Sequence, residues 1–423
     1  MIWTKRIEEG GHSAALLLPL SKFQRYAGFV CTPILGVLVI VTKLKLKNWK
    51  NFRSATAYFR ERTFIVGPNA AGKSNLIDVF RFLRDVARGA GGGGLAKALS
   101  ERGGIKAIRC LAARKDTQIE IDVTFADDVD SPAKWRYVLG LKNEGKGSNR
   151  DLVSYEKVWD AKGKLLLDRP DKFDEADPER LTQTHLEQVN SNRDYREIAE
   201  ELSQVRYLHL VPQLLKHAEQ LGGYRLEGDP FGQGFLEQVA TSTERVRSSR
   251  LRRINEALRV CVPQLRDLKF VKDDVTGRPH LEALYEHWRK NAGWQRESQF
   301  SDGTLRLLGL MWSLLDGDSL LLLEEPELSL NDAIVERIPM LVRKVQRSTK
   351  VRRQIILTTH SEAMLNQQGI DGREVVRLVP SAEGTTIAEL TKQEKIALKS
   401  GLTPAEVILN KARPTVSENF GLF

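Results

Sequence analysis

Gly67-Pro68-Asn69-Ala70-Ala71-Gly72-Lys73-Ser74 places two glycines, a lysine and a hydroxyl in the spacing G-x-x-x-x-G-K-[ST]. Those residue types in that order suit the holding of phosphate oxygens. The loop must present backbone N–H groups, from Asn69, Ala70, Ala71 and Gly72 among others, and side chains at Gly67 and Gly72 would block the approach. Lys73 supplies a flexible positive charge aimed at the outer phosphates. The Ser74 hydroxyl is a ligand of the kind Mg2+ takes. A glycine-rich turn between a strand and a helix, with no ligand, is the plainer alternative.

Three further groups complete a possible reaction centre. Leu320-Leu321-Leu322-Leu323-Glu324-Glu325-Pro326-Glu327 ends an apolar run in carboxylates, where open α/β sheets place their chemistry. In phosphoryl transfer Glu324 takes the metal role and Glu325 polarises the attacking water. Ser301-Asp302-Gly303-Thr304 reads as a helix N-cap, and equally as an anion site made by the Ser301 hydroxyl and the Gly303 N–H. Thr358-Thr359-His360-Ser361 ends another apolar run, one helix and one strand beyond Glu325, which brings His360 to a neighbouring strand end.

Elements of two periods position these groups. Leu44, Leu46 and Trp49 alternate with Lys43, Lys45 and Lys47, as in a strand, and Phe64-Ile65-Val66 is a short buried strand. Leu76, Val79, Phe80, Leu83 and Val86 follow at helical spacing, and Gly89–Gly94 marks a flexible break. Ile119–Phe125, Trp135–Leu141 and Val153–Trp159 read as strands, and Asp171–Arg206 as exposed helices and loops. Leu305–Leu315 is an amphipathic helix, Leu320–Leu323 a parallel strand, Ile334–Val345 one helix, and Ile355-Ile356-Leu357 a strand. This alternation predicts a parallel α/β sheet.

Composition sets the bounds. The 423 residues suffice for about three folding units, and 41% hydrophobic with 28% charged residues excludes wholesale disorder. Three scattered cysteines, Cys31, Cys110 and Cys261, make no disulfide framework or zinc spacing, and seven separated histidines add none. A cytoplasmic setting fits. The longest uncharged apolar run, residues 29–42, holds Pro33 and Gly36 and falls short of the ~20 residues a membrane helix needs, so no membrane role is expected. Residues 1–40 are expected to be an appendage, or the product of an upstream start codon, with a faint signal-peptide character. A net charge of +10 allows an anionic partner.

Taken in order, the motifs resemble those of the ABC-type ATPase heads of the RecF/SMC group, and more narrowly of single-chain predicted ATPases near the OLD-nuclease ATPase domain. Leu44–Arg53 resembles that group's first strand and its "NF(R/K)" turn. Gly67–Ser74 with Asn75 resembles its phosphate loop, and Ser301–Thr304 the "SDGT" form of its signature. Glu324–Glu327 resembles an "EEPE" Walker B, Leu328–Asp332 the D-loop, and Thr359-His360-Ser361 the switch histidine. Most such ATPases carry Asp at position 324; Glu is one methylene longer. The D-loop shows no His-Pro after Leu330, and Gln118 stands as Q-loop candidate by its position before a strand.

The resemblance implies an α/β P-loop NTPase with a mostly parallel central sheet, an N-terminal antiparallel β portion and an α+β insert. Its parts would be an ATPase first half at 41–127, an inserted lid or effector region at 128–298 and a second half at 299–423. It implies ATP and Mg2+ as cofactors, with Ser74 and Glu324 on the metal. Lys73, Glu325 and His360 would be catalytic, and Gly67 to Asn75 would bind nucleotide. Ser301, Gly303 and Thr304 would complete the site of a second copy, so that ATP joins a head-to-tail homodimer and hydrolysis releases it.

Three basic clusters, Lys43–Arg53, Arg245–Arg253 and Arg343–Arg353, bear on what the ATPase serves. One reading is a DNA-associated ATPase for genome maintenance, repair or defence, working with a separately encoded nuclease or other effector. A second is an ATP-gated switch acting on a protein partner. A third, a transporter's nucleotide-binding subunit, is weaker, because ~170 residues separate the first half from the signature. The basic clusters could equally be solvated faces with acidic neighbours.

Overall fold

The computed structural model describes residues 39–408, apart from 90–91, 115, 146–148, 218–225, 288, 290–292 and 349–352. Residues 1–38 of the expected N-terminal appendage, with Cys31, and Lys350 and Arg352 therefore lie outside the described residues. The first half runs β1 (Ile40–Trp49), β2 (Phe52–Tyr58), β3 (Arg62–Val66), α1 (Lys73–Ala87), β4 (Ile119–Ala126), β5 (Trp135–Asn143), β6 (Asp151–Trp159) and β7 (Leu165–Arg169). Then come α2 (Arg196–Ser203), β8 (Arg206–Leu208), α3 (Glu244–Cys261) and a small antiparallel sheet of β9 (Leu265–Lys272), β10 (Pro279–Tyr285) and β11 (Gln295–Arg296). The last third holds α4 (Asp302–Leu315), β12 (Leu321–Glu324), α5 (Asp332–Val335), α6 (Ile338–Ser348), β13 (Ile355–Thr359), β14 (Val375–Ser381) and β15 (Gly384–Ala388).

Two six-stranded sheets organise these elements. One is antiparallel, in the order β2-β1-β4-β5-β6-β7. The other runs β15-β14-β3-β13-β12-β8, parallel except for β15. Strand parity divides the core. Ile65, Leu320, Leu322 and Ile356 point into a cluster with α1 and the antiparallel sheet. Phe64, Val66, Leu321, Leu323, Ile355 and Leu357 point the other way, against α3, α4 and α6. A strand buried on both faces must be apolar at every position, which is why Leu320–Leu323 carries no alternation. Trp49, fully buried, stacks on Phe82 at 5.3 Å and donates Nε1–H to the Asn75 carbonyl at 2.9 Å, fastening the end of β1 to the first turn of α1.

Several expectations change in three dimensions. The boundary expected at 127/128 falls inside one sheet, because β5, β6 and β7 continue from β4, while β8 joins the parallel sheet beside β12. The described residues belong to a single compact unit. The stretch 171–206, read as exposed, contributes buried Leu186, Tyr195 and Ile198. It also closes a buried ionic cluster in which Arg169 meets Glu156 at 3.0 Å and Asp174 at 2.8 Å. Its charges misled because they pair with one another inside. The helix expected over 334–345 splits into α5 and α6; Pro339 has no N–H for the carbonyl four residues back. The break after α1 is held in place at its far side, where the Gly94 N–H bonds the Asp85 carbonyl at 2.8 Å.

α2 carries a testable electrostatic cost. Burial, with Asp318 and Glu197 nearby, pushes the Glu201 carboxyl from 4.5 up to about 7. A folded-state value above the unfolded one means the unfolded chain releases this proton first, so stability falls as pH rises from about 4.5 to 7. Glu201→Gln should therefore raise the melting point at pH 8, by a gain on the order of 1–3 kcal/mol, and leave it unchanged at pH 4. Equal melting of the two proteins at both pH values would contradict the burial.

Candidate functional site

The carboxyl ends of β3, β13 and β12 lie side by side: Val66 pairs with Thr359, and Thr358 with Glu324. The phosphate-loop motif leaves β3, the His360 segment leaves β13, and the paired glutamates leave β12. Glu324 keeps the parity of Leu322 and so faces α1, where Ser74 Oγ donates to its Oε1. Glu325 then leaves the strand with φ +43°, in the left-handed region that side chains rarely adopt. Its N–H is held by the Thr358 carbonyl at 3.2 Å, and its Oε1 lies 3.3 Å from His360 Nδ1. Ala70 and Ser329 share that backbone region, at φ +62° and +63°. Three strained non-glycine residues in the phosphate loop, the carboxylate turn and the D-loop mark where packing over-determines the chain.

The loop is shaped by its own protein as much as for a ligand. Gly72 has φ +92°, and a Cβ there would lie 2.1 Å from Asn51 Nδ2; one on Gly67 would lie 2.9 Å from the Leu378 carbonyl. Asn51, in the β1–β2 turn, donates to the Ala71 carbonyl at 3.1 Å and to Thr385 Oγ1 at 2.8 Å, and accepts from Asn75 Nδ2 at 2.9 Å. Thr385 Oγ1 also donates to the Ala71 carbonyl, at 2.9 Å. The Asn75 side chain, expected on nucleotide, thus staples the loop to the antiparallel sheet. Asn69, Ala70 and Ser74 are exposed, Ala71 is buried, and the Ala71 N–H turns inward to the Pro68 carbonyl at 3.2 Å.

Lys73 folds over the same loop. Its Nζ donates to the Gly67 carbonyl at 3.0 Å and to the Pro68 carbonyl at 3.2 Å. Burial pulls its pKa below the ordinary lysine value, opposed by the charges of Glu325, Glu327 and Glu324. Gly72 caps α1 without any side-chain bond, which leaves the first-turn N–H groups directed at the loop mouth. A cleft of about 1230 Å3 opens alongside, bordered by Asn51, Asn75, Arg81, Arg102 and Arg109.

The sequence suggests no separate role for Glu327, and the fold supplies one. It is 5% exposed; its Oε1 accepts from Thr359 Oγ1 at 2.6 Å and from the His360 N–H at 3.3 Å, so it sets the turn that carries His360. Burial pushes its carboxyl up. Tyr207 was missed altogether: from β8 its hydroxyl donates to Glu324 Oε2 at 2.5 Å. No local pattern marks it, because β8 becomes the neighbour of β12 only through the sheet. Gln118, the Q-loop candidate, bonds Ser154 on the antiparallel sheet instead. The segment following β8 makes the link to the signature, with Gln213 Nε2 donating to Asp302 Oδ2 at 2.8 Å.

The signature behaves as the N-cap alternative foresaw. Ser301 Oγ accepts the Thr304 N–H at 3.2 Å, and Thr304 is buried with its own hydroxyl 2.9 Å from Ser301. Gly303 lies against the D-loop, where a Cβ would meet Leu330 at 3.2 Å and the Ser329 carbonyl at 3.3 Å. Among the described residues no hydrogen bond or ion pair joins Ser301–Thr304 to the loop 67–75. The fold thus brings Lys73, Ser74, Glu324, Glu325 and His360 together and leaves the signature separate from the phosphate loop of its own chain.

Residues 62–366 match the family model described as "AAA domain, putative AbiEii toxin, Type IV TA system". The chain belongs to that family. No curated protein matches this AAA chain. Among solved structures it resembles an Smc head bound to the C-winged helix domain of ScpA, at 16% identity and TM-score 0.46, over 84% of this chain and 99% of that one. It also resembles an Smc head with an extended coiled coil bound to the C-terminal domain of ScpA, derived from Pyrococcus furiosus, at 13% identity and TM-score 0.48, over 86% and 99%. A third likeness is the SMC head domain of Thermotoga maritima, at 17% identity and TM-score 0.41, over 83% and 99%. The AAA chain itself is an α/β P-loop ATPase fold, and among its described residues no helix is long and apolar enough to cross a membrane.

Proposed function

We propose that this chain binds and hydrolyses Mg-ATP in a head-to-tail homodimer, and that dimer closure serves DNA maintenance, repair or defence through a separate effector. The observation that carries the reading is the convergence of Lys73, Ser74, Glu324, Glu325 and His360 on the open N-terminus of α1. The donor set fits the cation: a hydroxyl and a carboxylate already in contact are hard oxygen ligands of the kind Mg2+ prefers. When bound, the ion neutralises charge developing between the outer phosphates.

The protein's own part follows from the geometry. Lys73 exchanges the Gly67 and Pro68 carbonyls for phosphate oxygens, and the first-turn N–H groups of α1 face the same oxygens. Ser74 and Glu324 hold the cation. Glu325 takes the proton of the attacking water, oriented by His360 at 3.3 Å. The cleft beside Asn51 and Asn75 has room for the remainder of the nucleotide. Ser301, which is exposed, with Gly303 and Thr304 beside it, would cap the phosphates of a second copy. A cytoplasmic location accompanies this reading.

A second reading, an ATP-gated switch on a protein partner, draws support from charge pairing. Lys45 meets Asp122 at 3.9 Å, Lys50 meets Asp78 at 2.7 Å, and Lys47 and Arg53 pair with Asp116 and Glu383. On α3, Arg250 pairs with Asp316 at 2.8 Å, and Arg247 donates to the carbonyls of Ala240 and Ser242. Arg353 is buried among the carbonyls of Ser313, Asp316 and Ser319. The lysines and arginines already paired with carboxylates have less charge to offer DNA phosphates. ATP turnover measured with and without duplex DNA at 50 and 200 mM salt separates the two. The DNA reading expects stimulation of at least about fivefold that collapses at the higher salt. Turnover indifferent to DNA at both concentrations removes it in favour of the switch.

A further inference from the structure

Tyr207 sits one residue before the end of β8 and pairs with Leu322 in the parallel register, so its ring lies on the same face as Glu324. The two oxygens of Glu324 have separate partners: Ser74 from α1 on Oε1, and the Tyr207 hydroxyl from β8 on Oε2, at 2.5 Å. The ring is 8% exposed, and the Arg81 guanidinium lies over it 4.1 Å from the centroid. Arg81 stands two turns along α1 from Ser74, and its Nη1 is 3.7 Å from Asp78 Oδ1, so the stack is tied to the helix that carries the phosphate loop.

A glutamate at this position has one more rotatable bond than an aspartate, and a free carboxylate on it would sample several placements. We propose that Tyr207 is a positioning residue for the metal carboxylate: its hydroxyl anchors Oε2 and so presents Oε1, beside Ser74 Oγ, to a divalent cation. This rests on the assignment of Ser74 and Glu324 to magnesium. An outer partner of a metal-bound carboxylate is worth roughly ten- to a hundredfold in metal affinity.

The test uses full-length Tyr207→Phe and a fluorescent ATP analogue. Nucleotide affinity is measured in EDTA and then as Mg2+ is titrated in. The expected result is an EDTA affinity within about twofold of wild type, and a Mg2+ concentration for half-maximal tightening raised about tenfold. In a Glu324→Gln background the same substitution should add no further shift, because the anchored carboxylate is gone. Thermal unfolding checks that each protein is folded. A Mg2+ midpoint equal to wild type overturns the proposal. So does a parallel loss of affinity in EDTA, which would make Tyr207 a packing residue only. Wild-type protein whose nucleotide affinity ignores Mg2+ sinks the metal assignment itself, and Lys73→Ala retaining wild-type affinity would separately sink the phosphate-loop reading.

Discussion

Lys73→Ala loses ATP affinity by on the order of a hundredfold or more, read by titration of a fluorescent nucleotide, while its melting point moves by only a few degrees. The size follows from the surroundings of the amine. Lys73 is 7% exposed, on two carbonyls of its own loop, and burial lowers its pKa below the ordinary lysine value. Glu324, Glu325 and Glu327 lie close enough to oppose that cost. A triphosphate brought to this loop adds several negative charges to a site that already holds these carboxylates. Without the ammonium group they face one another across a poorly solvated space. The loop itself keeps its shape, since Asn51, Thr385 and Asn75 hold it independently of Lys73. Affinity equal to wild type would remove the phosphate-loop role.

Glu325→Gln has the second large effect. Hydrolysis falls by about 10²–10⁴-fold, the range for loss of a general base, while ATP still binds. The protein then accumulates as an ATP-bound dimer, read as a doubling of mass by light scattering in Mg-ATP and a return to monomer in ADP. The substitution is nearly isosteric. The Glu325 backbone, with φ +43° and its N–H on Thr358, is unaffected by the change of head group. The His360 contact at 3.3 Å can persist through the amide oxygen, so binding and hydrolysis separate cleanly. Normal turnover would remove Glu325 as base. A protein that stays monomeric with ATP bound would leave the hydrolytic assignment standing and overturn the head-to-tail dimer.

Much of the site was legible in local order. Gly67–Ser74 between an apolar strand and an apolar-faced helix names its own chemistry, and Leu320–Leu323 followed by acid names a buried strand end. The N-cap role of Ser301 was legible, and the fold shows it. The pairing of the first basic cluster was not legible, because a run of lysines looks the same whether its neighbours are water or carboxylates. Asp116, Asp122 and Glu383 lie tens to hundreds of residues away in the chain from the cations they neutralise.

By itself the amino-acid order determined which groups could do chemistry here, and on which kind of element each would ride, because helix and strand periods and loop stereochemistry act over a few residues. Tertiary structure alone decided the rest. It set Tyr207 against Glu324 and Asn51 against Ala71, turned Glu327 onto the His360 turn, and paired Lys45, Lys47, Lys50 and Arg53 with carboxylates. It also drew strands from 128–298 into both sheets. Each of these depends on which distant strand becomes a neighbour, and that is settled when whole apolar faces are buried together, a long-range event that no short stretch of the chain records.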